Sequence, residues 1–165
     1  MTYTVTVHVD FGPAYQATLP GHAYYEISDG INPSESYGLY PASDVSTWDI
    51  AALGPVVGDV RLDDAQVRTP DVSYTYEITQ EQYDTLRIES KLADTNPPSY
   101  DLNDYNCTTF TRDMLWGIGI DLYGTAANQT TPAGLANTLA FQKLADAFQL
   151  AADGWNKFWN EIGGD

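Results

Sequence analysis

Polar and apolar residues alternate along Thr2-Tyr3-Thr4-Val5-Thr6-Val7-His8-Val9-Asp10. A period of two predicts a strand with one buried face, here Tyr3, Val5, Val7 and Val9 inward and the threonines outward. His8 falls on the polar side and reads as an exposed strand residue, not a catalytic one. Phe11-Gly12-Pro13 breaks the run. Pro20-Gly21 signals a turn. Residues 22–28 read as a second strand, and Ser36-Tyr37-Gly38-Leu39-Tyr40 as a third, stopped by Pro41. Ser28-Asp29-Gly30 and Asn32-Pro33-Ser34 lie between them, so the pair predicts a hairpin with a widened tip. His22 opens the first arm and is expected across from Tyr40, at the end of the second. Residues 53–61 contain a further strand between turn residues, and 72–78 alternate again.

The period then lengthens. Thr79-Gln80-Glu81-Gln82 matches a capping box, with Thr at the N-cap and Gln three on. It predicts a helix over 80–92, amphipathic through Tyr83, Leu86 and Leu92 and ended by Asp94-Thr95-Asn96-Pro97-Pro98-Ser99. After Tyr105-Asn106-Cys107-Thr108-Thr109, the apolar Phe110, Met114, Leu115 and Ile118 mark one helical face, closed near Gly117-Ile118-Gly119. That Gly-x-Gly follows a helix, lacks a third glycine, and is a terminus, not a dinucleotide loop. Residues 124–131 are polar loop. Thr131-Pro132 is a cap with proline at the first helical position. Leu135, Leu139, Leu144, Phe148 and Leu150 follow at helical spacing, Gly154 is expected to break the helix, and Trp155, Phe158, Trp159 and Ile162 give a short aromatic-striped one. The stripe reads as packed on the domain; a partner- or membrane-facing surface is the alternative. The elements divide into residues 1–130 and a helical extension over 131–165 packed on them.

Charge narrows the function. The 165 residues include 23 acids against 7 Lys and Arg, a net charge of −16. Nucleic-acid backbones and anionic lipid surfaces both demand a basic face, so neither is an expected partner. A solvated acidic surface is the simple reading, and a basic partner the other. One cysteine forbids an internal disulfide and fits a reducing compartment at synthesis. No basic region followed by an apolar one marks a signal peptide, and no apolar run is long enough to span a bilayer. The sequons at Asn106 and Asn128 carry no weight without a secretory context.

Cys107 supplies the candidate chemistry. It stands at the predicted start of a helix, where free backbone N–H groups and the helix dipole favour negative charge and so thiolate, the nucleophilic form. His22, one of two histidines, is 85 positions upstream, but a general base need only meet the nucleophile in space. The expectation is that His22 and Cys107 meet as base and nucleophile. The competing reading is a buried, inert cysteine. Zinc needs three or four His or Cys ligands, Asp63-Asp64 lacks the rest of a calcium loop, and no G-x-S-x-G elbow or Walker loop occurs. No metal or cofactor is expected. A glycosidase needs two carboxylates, which 23 acids neither support nor exclude.

Three stretches together carry a resemblance: Gly21-His22-Ala23-Tyr24-Tyr25-Glu26-Ile27, Ser36-Tyr37-Gly38-Leu39-Tyr40-Pro41, and Tyr105-Asn106-Cys107-Thr108-Thr109-Phe110. They resemble circularly permuted NlpC/P60 hydrolases, papain-like enzymes in which the His strand precedes the Cys helix. The resemblance spans roughly residues 1–135. It implies an α+β papain-like fold, an antiparallel sheet with the Cys helix packed on it, with Cys107 as nucleophile and His22 as general base. The family's third polar residue, which orients the imidazole, lies on the strand after the His strand. Here 36–40 offers no His, Asn, Gln or Asp at the expected place, and Glu35, Ser36, Tyr37 and Tyr40 are the candidates. Opposition to His22 favours Tyr40, and a carboxylate favours Glu35. The resemblance implies cleavage of amide bonds in peptidoglycan stem peptides, as an amidase or endopeptidase. It further implies a bacterial effector made in the cytoplasm without a signal peptide and acting in the periplasm or cell wall after specialised secretion, with an immunity or secretion-carrier protein as partner. Lipid acyltransferase, phospholipase or thioesterase activity on the same dyad is the alternative, and a non-catalytic interaction module a third.

Overall fold

The computed structural model describes residues 2–11, 21–42, 54–62, 65, 68–122 and 130–161, without the side chains of 158 and 159. Five strands, β1 (Tyr3–Asp10), β2 (His22–Ser28), β3 (Glu35–Pro41), β4 (Gly58–Leu62) and β5 (Val72–Ile78), form one antiparallel sheet in the order β4-β3-β2-β1-β5. Among the described residues, three helices follow: α1 (Gln80–Thr95), α2 (Cys107–Trp116) and α3 (Pro132–Glu161). The result is an α+β papain-like layout, as the sequence implied.

The period-two pattern sets the register. Val5 pairs with Ile27, Val7 with Tyr25 and Val9 with Ala23. These residues, with Tyr37, Leu39 and Val60, are buried on one face. A one-residue slip would turn that whole row to the other face. Leu86 of α1, Phe110 and Leu115 of α2, and Leu135 and Leu139 of α3 join the same core. Between α2 and α3, Ile118 and Leu122 extend it. The core therefore continues past residue 130 into the first turns of α3.

The opposite face is more closed than its composition suggests. Thr6 and Thr75 share a hydroxyl hydrogen bond of 2.9 Å across β1 and β5. His8 is buried, contrary to expectation. Its Nδ1 lies 2.7 Å from Ser73 Oγ, its ring stacks on Tyr24 with centroids 4.8 Å apart, and Glu26 Oε2 is 3.5 Å from Nε2. Short polar neighbours on β5 and an aromatic one on β2 fill the space around the imidazole, which strand alternation alone does not reveal. Burial holds its pKa below the ordinary value, and Glu26 only partly opposes this.

The helix starts follow their caps. Thr79 and Gln82 form the expected reciprocal box at α1, and Gly134 N–H donates to Thr131 Oγ1 at the head of α3. Three expectations fail. Leu92 is exposed, since α1 turns only Tyr83, Leu86 and Ser90 inward. Gly154 does not end a helix: α3 runs unbroken for 30 residues. One interior glycine costs about 1 kcal/mol relative to alanine, which the neighbouring turns absorb. Trp155 is 63% exposed instead of packed on the domain. Residues 63–64, 124–129 and 162 lie outside the described residues.

Candidate active site

Asn106 builds the start of α2. Its backbone is extended, and its side-chain oxygen accepts the N–H groups of Thr108 and Thr109 at 2.9 and 3.4 Å. Thr109 Oγ1 in return accepts the Asn106 N–H at 2.7 Å, completing a capping box. The side-chain nitrogen donates to Leu102 O at 3.0 Å and Thr130 O at 2.9 Å. This buried amide thus ties the front of α2 to the preceding loop and to the approach of α3. Cys107 is the first helical residue, and its N–H lies outside the cap's own bonds.

Cys107 and His22 are brought together. His22 is the first residue of β2, and its side chain is hydrogen-bonded to that of Cys107, while the neighbouring Ala23 backbone also bonds the sulfur. Both are nearly enclosed, 5% and 6% exposed. Burial works against the thiolate. The His22 hydrogen bond and charge, then the Ala23 and Thr108 contacts, outweigh it and hold the thiol pKa below its ordinary value. The arrangement suits a nucleophile whose proton is carried by an imidazole.

Two aromatic rings flank His22. Tyr40 stacks on the imidazole with centroids 4.2 Å apart, and Tyr24 with 5.8 Å. Tyr40 is itself clamped. Arg68 Nε donates to its hydroxyl at 2.9 Å, and the Arg61 guanidinium sits 4.1 Å above its ring. Arg68 Nη1 also donates to Asp10 Oδ2 at 2.7 Å, and Asp10 is the residue paired with His22 across β1 and β2. Direct cross-strand partners have Cβ atoms about 5 Å apart. Tyr40 therefore meets His22 through its ring face, with its hydroxyl engaged by arginine.

Glu35 does not reach the site. It pairs with Ile27, five positions along β2 from His22, a run of about 17 Å at strand rise. Its carboxylate takes Arg87 Nη2 at 2.8 Å, Arg87 Nε at 3.0 Å and the Tyr37 hydroxyl at 2.5 Å, with Lys91 Nζ at 3.5 Å. Burial pushes its pKa up, but Arg87 and Tyr37 outweigh that and hold it below the usual carboxylate value. Ser36 accepts the Ala65 N–H at 2.9 Å. Glu35, Ser36 and Tyr37 thus lock β3 to α1 and to the chain after β4. Asp10 and Arg68 were not anticipated. Asp10 could have been found by continuing the β1–β2 pairing to its end; nothing in the sequence around Arg68 points to the site. Among the described residues, no group of three His, Cys, Asp or Glu is placed to hold a metal.

An α+β sheet with a cysteine helix seated on a histidine strand defines a papain-like architecture. Among solved structures, the chain is similar to one described as the type VI secretion system effector TseH. The match has a TM-score of 0.51 and 18% identity, over 85% of this chain and 88% of that one. At that identity the likeness is one of fold. No protein-family model matches the chain, and no curated sequence matches it significantly.

Proposed function

We propose that this protein is a cysteine hydrolase that cleaves amide bonds within peptidoglycan stem peptides, and that it acts as a secreted antibacterial effector. The observation that carries the chemistry is the hydrogen bond between Cys107, at the first turn of α2, and His22. The substrate class rests on the permuted NlpC/P60 motifs, and the secreted role is supported by the fold shared with TseH. The Cys107 thiolate attacks the amide carbonyl, forming the C–S bond. The backbone N–H of Cys107, outside the cap's bonds, meets the developing oxyanion. The protonated His22 passes its proton to the amine as the C–N bond breaks, leaving a thioester. His22 then takes a proton from water, whose oxygen attacks the thioester carbonyl. The C–S bond breaks, the acid departs, and the proton on His22 returns to the sulfur to restore the thiol.

Purified sacculi incubated with the protein are expected to release stem-peptide fragments that mass spectrometry identifies. Cys107→Ala should lower release by orders of magnitude without unfolding the chain. Absence of fragments, together with a Cys107 that iodoacetamide does not modify in the folded protein, would overturn the proposal. It would leave a non-catalytic module, a reading favoured by the near-complete enclosure of the sulfur. Fatty-acid release from vesicles would instead indicate the acyl-ester chemistry.

A further inference from the structure

α3 carries two faces. Leu135 and Leu139 are buried, and the Tyr76 and Tyr74 hydroxyls donate to Gln142 and Asp146. At about 100° per residue, those four positions fall on one side of the helix. Phe141, Leu144, Phe148 and Trp155 fall on the other, 72%, 51%, 67% and 63% exposed. With Ala151, also exposed, their spacing is three, four, three and four, the a/d repeat of a seam made to receive another helix.

The seam identifies its occupant by its symmetry. Large rings stand at the a positions, Phe141, Phe148 and Trp155, and smaller Leu144 and Ala151 at d. In an antiparallel pair, a packs against d of the partner. A twofold axis between Gln149 and Leu150 sets Phe148 against the second copy's Ala151 and Leu144 against its Trp155, large on small at the centre of the seam. A parallel pair would set ring on ring. The flanking positions are Ala145, Ala147, Ala152 and Gly154, which permit close approach and carry no charge to repel a like chain. The helix holds two lysines against three acids in a chain of net charge −16, so it is a segment on which two copies can meet with little repulsion. The exposed apolar surface of four such side chains from each copy is on the order of 1,000 Å², near the lower end of specific interfaces. We infer that the protein self-associates as a twofold antiparallel dimer through the Phe141–Trp155 face of α3.

Sedimentation of the full chain, from nanomolar to hundred-micromolar concentration, should show a reversible monomer–dimer equilibrium. Added salt should shift it towards dimer by screening the repulsion between acidic copies. Phe148→Glu should abolish the dimer while leaving the circular dichroism unchanged. Leu150→Glu, an equally exposed apolar position off the seam, should leave dimerisation intact. Mixed Leu144→Cys and Trp155→Cys copies should cross-link under mild oxidation, whereas Leu144→Cys alone should not. A monomer at every concentration overturns the inference, as does a monomer that uses the same face to bind lipid vesicles. A dimer that survives Phe148→Glu, or one in which Leu144→Cys cross-links to itself, overturns it equally.

Discussion

A thiolate on a cysteine this enclosed can form only where something compensates the loss of water, and His22 is the main compensator. The sign of the pH dependence follows. With His22 present the thiol pKa is lowered, so the inflection in iodoacetamide reactivity should fall below the unperturbed value of about 8.5. In His22→Ala, burial acts with less opposition, and the inflection should move alkaline; His8→Ala should leave it unmoved. Equal shifts in both variants would remove His22 from its role. Tyr40 separates two ways of holding the imidazole. Tyr40→Phe keeps the stacked ring and loses the Arg68 bond, so reactivity should change little, while Tyr40→Ala should slow it several-fold. Glu35→Gln should leave it unchanged. Cys107 and His22 were legible because each is rare and each sits at a recognisable element start. Tyr40 was legible because hairpin opposition fixes it. Arg68 was not, because it comes from a stretch without periodicity, and its partners Tyr40 and Asp10 are 28 and 58 positions away.

Elements place these side chains, and one glycine sets the tolerance. Gly21 precedes His22 where β2 starts beside the end of β1. A Cβ there would lie 2.4 Å from the Asp10 carbonyl oxygen and 3.0 Å from the Phe11 Cα, both backbone atoms that cannot swing aside. Gly21→Ala should therefore push β2 away from β1 at its first residue. The expected cost is about 1–3 kcal/mol, the range for overpacking, read as a lower urea midpoint, with slower Cys107 alkylation because His22 moves with the strand. Unchanged stability and alkylation would mean that the β1–β2 junction does not position the histidine. Strand and helix starts were readable from the sequence because turn residues and caps are local chemistry. The length of α3 was not. A glycine inside a helix weakens it without ending it, and only the surrounding turns decide. Nor could the stripe at Trp155 be assigned, since helical periodicity gives the width of an apolar face but not whether the same chain covers it.

At the scale of the whole molecule, charge and two titratable groups, one half-buried and one buried, act on stability together. Glu35 has a lowered folded pKa, so its contribution is present above its unfolded value of about 4.3 and is lost as pH falls through the folded one. His8 acts at higher pH. Its folded pKa also lies below the ordinary 6.5, so both folded and unfolded chains hold it neutral above that pH. As pH drops through 6.5 the unfolded chain binds the proton first, and the folded state loses stability until the pH passes the folded value. The groups facing His8 are Ser73 from β5, and Tyr24 and Glu26 from β2, and of these only Glu26 opposes the effect. Relief of the repulsion among 23 acids runs the other way, but carboxylates remain ionised at pH 5.5, so that relief comes later in the titration. Urea midpoints should therefore fall between pH 7.5 and 5.5, and His8→Gln, which keeps a polar side chain and cannot titrate, should flatten that slope. A slope equally steep in His8→Gln would place the acid sensitivity elsewhere and mean that the imidazole between Ser73 and Glu26 already carries its proton in the folded chain.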